Sequence, residues 1–175
     1  MTWVVGLDLS LRRTAWVAVP LSWRRDWGQI VTGVIEPATP ASRNAMDQIG
    51  RLDSITTMLS PLRSLRNPME RVYAYVENPA FGEHGSHAAG ELHGAVKLDL
   101  YRDGFVVTVA NMSSARGLLL GHAPAKGKAK LEVVSAWKAA GAPFAPDNDL
   151  CDAMTCANWG LSELRGDCFA SVSAK

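Results

Sequence analysis

The sequence predicts an α/β fold with a mixed sheet, and three observations point to it. Three short apolar strand patterns joined by tight links open the chain, and after them strand patterns alternate with helical ones. The third is chemical: the run Trp3-Val4-Val5-Gly6-Leu7 ends in Asp8, and a later buried-strand pattern, Val72-Tyr73-Ala74-Tyr75-Val76, ends in Glu77. A carboxylate at the end of a buried strand is costly to desolvate unless something pairs with it.

The first strands are expected at Trp3 to Asp8, Thr14 to Val19 and Gln29 to Ile35. Their short links require antiparallel neighbours, since a parallel pair needs a crossover of about a dozen residues or more. An amphipathic helix is expected over Arg43 to Leu65, with Met46, Ile49, Leu52, Ile55, Leu59 and Leu62 on one face and Pro61 stopping or kinking its end. As a crossover it makes the Val72 strand parallel to a sheet neighbour, and parallel strands end at the same edge. If that neighbour is the first strand, Asp8 and Glu77 meet at the carboxyl ends of the strands, where open α/β sheets bind ligands.

Beyond Glu77, NPAFGEHGSH has loop chemistry, followed by a helix from Ala88 to Arg102 and a strand from Phe105 to Ala110. Gly90 and Gly94 lie four apart on that helix and permit close approach, by the protein's own sheet in the first instance or by a second subunit. A short helix over Ser113 to Leu120, a basic loop and a helix over Leu131 to Ala140 come next. The last helix starts at PDNDLCDAMTCANWGL, with Pro146, Asp147 and Asn148 as its start signal. Asp147 and Asp149 suit a first helical turn, whereas Asp152, on the face of Asp149 and among Leu150, Ala153, Met154 and Ala157, demands another explanation. One domain is expected over 1–165, with a flexible tail over 166–175.

Composition agrees with a soluble globular chain. It has 175 residues, 47% hydrophobic and 20% charged, and no run of the ~20 apolar residues that a membrane span needs. No export signal is recognised, and Cys151, Cys156 and Cys168 fit no CxxC spacing, so a cytoplasmic protein with plain buried thiols is expected. The net charge of +1 is uninformative, but Arg12-Arg13, Arg24-Arg25 and the lysines of APAKGKAK form local basic clusters. His84, His87 and His93 do not form a recognisable ligand set, and Trp16, Trp23, Trp27, Trp137 and Trp159 read as packing residues.

Asp8, Glu77, Asp149 and Asp152 therefore sit where the element order can bring them to one sheet edge. Two like charges 4 Å apart repel by about 4 kcal/mol at an effective dielectric of 20, so such a cluster calls for cations. Oxygen ligands suit Mg²⁺ or Mn²⁺, and two such ions serve phosphodiester cleavage, for which the nearby lysines and arginines would hold phosphates.

In this order and spacing, GLDLSLRRTAW, YVENPAF, AAGELHGAVKLDL, GKAKLEV and DLCDAMTCANWG resemble the RuvC family of Holliday-junction resolvases in the ribonuclease-H-like superfamily, in a bacteriophage-type form, over about residues 3–162. The resemblance implies a five-stranded mixed sheet, three antiparallel strands followed by two parallel ones, with helices on both sides. It further implies a homodimeric, two-metal endonuclease of four-way junctions and other branched DNA such as forks and flaps, working in the cytoplasm, of the host cell if the chain is of phage origin. Its ligands fall on Asp8, Glu77, Asp149 and Asp152, with Asp147 an alternative to Asp149. Lys130 matches a basic residue that supports the family's active site, and Phe81 an aromatic that engages the junction core. Arg12, Arg13, Lys126, Lys128 and Lys130 are the expected DNA contacts. Three rivals are a non-catalytic junction binder, a structured-RNA nuclease and an actin-like nucleotide-binding protein. The intact carboxylates speak against the first, and the third lacks a second phosphate loop.

Overall fold

A computed structural model describes residues 1–37, 44–67, 69–78, 87–125 and 127–166. Five strands form one sheet in the order β3-β2-β1-β4-β5: β1 (Trp3–Asp8), β2 (Thr14–Pro20), β3 (Val31–Ile35), β4 (Val72–Glu77) and β5 (Val106–Ala110). β1, β2 and β3 pair antiparallel, while β4 is parallel to β1 and β5 to β4. The third strand begins later than its apolar pattern suggests, because Asp26 caps a 3-10 turn at Trp27–Gln29 and accepts a bond from the Gly28 amide.

Side-chain alternation along the strands divides the core into two layers. Val5 and Leu7 of β1, Trp16 and Ala18 of β2, and Ala74 and Val76 of β4 face α1 (Ala45–Met58), α2 (Ser60–Arg63) and α3 (His87–Arg102). Val4, Ala15, Val17, Val19 and Tyr75 face α4 (Met112–Leu120), α5 (Ala129–Ala139) and α6 (Asn148–Arg165). Helix α6 lies closest. Gly6 leaves room for the backbone at Ala153 and Ala157, and Gly160 lies under the Tyr75 ring.

The expected single helix over 43–65 divides in two. Asn44 caps α1, which ends before Leu59, and Pro61 sits in the first turn of α2, where its missing N–H costs no helical bond. Ile55, Leu59 and Leu62 are buried as the periodicity requires, but Met46 and Ile49 are exposed. The glycine expectation is also corrected. A Cβ at Gly90 or Gly94 would meet nothing within 4 Å, since α3 turns Leu92, His93, Val96 and Leu100 inward and leaves its glycine stripe in the open. Cys151 and Cys156 are buried free thiols, while Cys168 lies outside the described residues. Among the described residues no helix is long and apolar enough to cross a membrane.

His93 gives the fold a pH signature. It is buried among the α3 apolar face, its Nδ1 has no hydrogen-bond partner among the described residues, and burial, with nearby Lys97, lowers its pKa from 6.5 to about 4. The unfolded chain therefore takes up this proton first as pH falls. Stability contributed by the neutral ring is present above about pH 6.5 and lost progressively toward pH 4. Denaturant titrations of His93→Leu should show a shallower loss of stability than wild type across that interval, with the two curves running parallel above pH 7.

Candidate active site

The site begins with strand parity. Along β1, Val4, Gly6 and Asp8 point to the α6 side, and along β4 so do Tyr73, Tyr75 and Glu77. The register pairs Gly6 with Tyr75 and Leu7 with Val76, so Asp8 and Glu77 are the next neighbours, at the carboxyl edge of two parallel strands. Asp8 is 9% exposed, and the Glu77 carboxyl lies within hydrogen-bonding reach. Burial first, then Glu77 and the charges of Asp152 and Asp149, push the Asp8 carboxyl up to about 9. Among the described residues neither Asp8 nor Glu77 has a cationic partner.

Helix α6 brings its acids over this edge. Asp147 is its N-cap, accepting bonds from the amides of Asp149 and Leu150, both at 3.1 Å. Asp149 and Asp152 follow on the face turned to Asp8, and both are paired. Arg116 Nη2 donates to Asp152 Oδ1 at 3.0 Å, and Lys130 Nζ stands 3.8 Å from Oδ2. Arg13 Nη1 donates to Asp149 Oδ2 at 2.5 Å and to Asp147 Oδ1 at 3.0 Å, while Nη2 donates to Asp147 Oδ2 and Nε to Glu36. That guanidinium holds the Asp147 carboxyl below its ordinary value. Among the described residues the strand acids are short of positive charge, while Asp147, Asp149 and Asp152 are supplied with it.

Among the described residues no group of three or more histidine, cysteine, aspartate or glutamate side chains is arranged to hold a metal ion. Asp149 and Asp152 are engaged by Arg13, Arg116 and Lys130. The donor set still suits a hard cation. All donors are carboxylate oxygens, and a cation beside the buried Asp8 and the half-buried Glu77 would offset their mutual repulsion in the charged form.

Of the residues singled out in the sequence, Asp8 and Glu77 come together, Asp149 and Asp152 come near them, and Lys130 reaches Asp152. Arg12 and Lys128 are exposed, and Arg13 is occupied within the protein. Phe81, Lys126 and His84 lie outside the described residues. Arg116 escaped the sequence reading, although it is the single charged residue in Met112–Leu120.

Arg116 should carry a measurable share of stability. The Asp152 side chain is 3% exposed, so Arg116→Met leaves a buried carboxylate with, among the described residues, the more distant Lys130, at a cost of about 3 kcal/mol. Urea unfolding should show that loss, and adding Asp152→Asn should restore much of it.

No protein-family model and no curated protein sequence matches the chain. Comparison with solved structures does give matches. RuvC of Thermus thermophilus superposes with a TM-score of 0.66 at 19% identity, covering 94% of this chain and 96% of that one. A second structure, of T. thermophilus RuvC in complex with Holliday junction substrate, gives 0.66 at 18%, covering 95% and 97%. The fold is that of RuvC. At this identity the likeness concerns architecture, and the RuvC fold here includes the mixed five-stranded sheet with helices on both faces.

Proposed function

We propose that this chain is a metal-dependent endonuclease that resolves four-way DNA junctions and acts on related branched DNA. The observation that carries the reading is the Asp8–Glu77 pair, Asp8 buried and Glu77 half-buried, which among the described residues has no cation at the carboxyl edge of β1 and β4 while Asp149 and Asp152 of the facing helix each have one. A strand-end carboxylate pair of this kind is destabilising unless it binds something positive. Support for the DNA substrate comes from a protein of the same fold, whose structure was solved in complex with Holliday junction substrate.

In this reading Asp8 and Glu77, with Asp149 and Asp152, hold Mg²⁺ or Mn²⁺, two ions in the working complex. Bound there, such ions supply a water activated near neutral pH and stabilise the leaving oxygen of a phosphodiester. The chain's own groups do the rest. Arg116 fixes the Asp152 carboxylate, Lys130 beside it offers a charge-assisted donor to the scissile phosphate, and the exposed Arg12 and Lys128 hold flanking phosphates, with Lys126 and Phe81 as further DNA contacts. The open glycine stripe of α3, with exposed Met46 and Ile49 on α1, which packs against α3, gives a second copy a surface on which to dock. A two-fold dimer presents two sites to a two-fold junction, so paired nicks follow.

Cleavage of a labelled four-way DNA junction with Mg²⁺ or Mn²⁺, beside the matched RNA junction, a linear duplex and an EDTA control, tests the reading. Metal-dependent paired nicks confined to branched DNA are expected. Tight junction binding without cleavage under either metal would make the chain a binding protein on a nuclease fold.

A further inference from the structure

The site's internal cations differ in how freely they can leave. Arg116 cannot be withdrawn from Asp152 without stranding a carboxylate that is nearly fully buried. Arg13 and Asp149 are different, with side chains 30% and 26% exposed. The Arg13 guanidinium is also anchored elsewhere, since it makes a two-pronged contact with Asp147, the N-cap of α6, and donates its Nε to Glu36 at 3.2 Å. Its bond to Asp149 is a single contact from Nη1, so giving that bond up leaves Arg13 paired and Asp149 free.

Resting on the nuclease reading above, we propose that Arg13 is a parked internal cation which competes with the second divalent ion for Asp149. Asp8 and Glu77 would hold the first ion. Asp149, released by Arg13, would help hold the second, while Asp147 and Glu36 retain the guanidinium. Arg13 is thus a positioning residue that sets the order and relative affinity of ion loading, and Asp147, which sequence alone leaves as an alternative ligand, is its anchor.

Isothermal titration calorimetry with Mn²⁺, on the full chain without DNA, tests this apart from activity. Wild type should show a tighter class of sites abolished in Asp8→Asn and a weaker class abolished in Asp149→Asn. Arg13→Gln should tighten the weaker class by about fivefold, the worth of one partly exposed charge-assisted contact, and leave the tighter class within twofold. Arg13→Lys, whose ammonium cannot hold Asp147 and Asp149 in a fork, should tighten it by less. Arg12→Gln removes the same charge from the neighbouring exposed position and should leave both classes unchanged. An unchanged or weakened second class in Arg13→Gln overturns the proposal, as does equal tightening in Arg12→Gln. Absence of any Asp8-dependent Mn²⁺ uptake in wild type would instead sink the nuclease reading, and this proposal with it.

Discussion

Asp8→Asn should abolish metal-dependent cleavage and at the same time raise the melting temperature of the metal-free protein by roughly 5 °C near neutral pH. The two effects share a cause. In the folded protein burial first, then Glu77 and the charges of Asp152 and Asp149, push the Asp8 carboxyl up to about 9, against an ordinary value of 3.8 in the unfolded chain. A folded value raised above the unfolded one means that the stability contribution is fully present below about pH 4 and is lost as pH rises toward 9. Asparagine keeps the shape and a hydrogen-bond donor to Glu77 without this loss, so the gap between variant and wild type should widen from pH 5 to pH 8. Cleavage falls for the opposite reason, since a neutral amide is a poor ligand for a hard cation. A loss of at least about a thousandfold is expected, in line with removing a group that stabilises transition-state charge. Thermal melts in EDTA at several pH values, beside junction cleavage, check both halves.

Gly6→Ala should prevent the chain from reaching this fold at ordinary temperature. A Cβ at position 6 would stand 1.9 Å from the Ala153 carbonyl oxygen and 2.5 Å from the Ala157 amide nitrogen. Both are backbone atoms of α6, so no rotamer change relieves the clash, and the helix must retreat from β1. That retreat opens the layer built on Val4, Val17 and Tyr75 and carries Asp149 and Asp152 away from Asp8. The destabilisation should exceed about 4 kcal/mol, in the range reserved for severe overpacking. Circular dichroism and urea titration should show a largely unfolded or molten chain. A variant that kept native stability would mean that α6 does not pack so closely on β1.

Much of this arrangement is legible in the sequence, for reasons visible in particular residues. Asp8 and Glu77 announce themselves because a carboxylate following four or five buried-strand residues violates the apolar pattern. The crossover helix then fixes β1 and β4 as parallel, so that both acids finish at one edge. Asp152 stands out in the same way, as a charge on the apolar face of α6. What stays hidden depends on contacts distant in sequence. Arg116 looks like a surface residue of a short helix until the fold sets it 3.0 Å from Asp152, and Arg13 looks like a phosphate contact until its guanidinium meets Asp147 and Asp149, more than 130 positions away. Met46 and Ile49 mislead in the opposite sense. They continue the apolar period of α1, yet that part of the helix extends past what the core covers, which periodicity alone cannot reveal. The close packing of Gly6 under α6 is likewise a property of the helix position and leaves no trace in the strand pattern.

The central claim is that the uncompensated strand pair is a divalent-cation site, and anomalous diffraction from crystals grown with Mn²⁺ measures it most directly. An anomalous peak bridging the carboxylates of Asp8 and Glu77, absent in Asp8→Asn crystals, is the result this account predicts. Mn²⁺ bound only elsewhere, with Asp8 and Glu77 still in carboxyl-to-carboxyl contact at saturating metal, would contradict it.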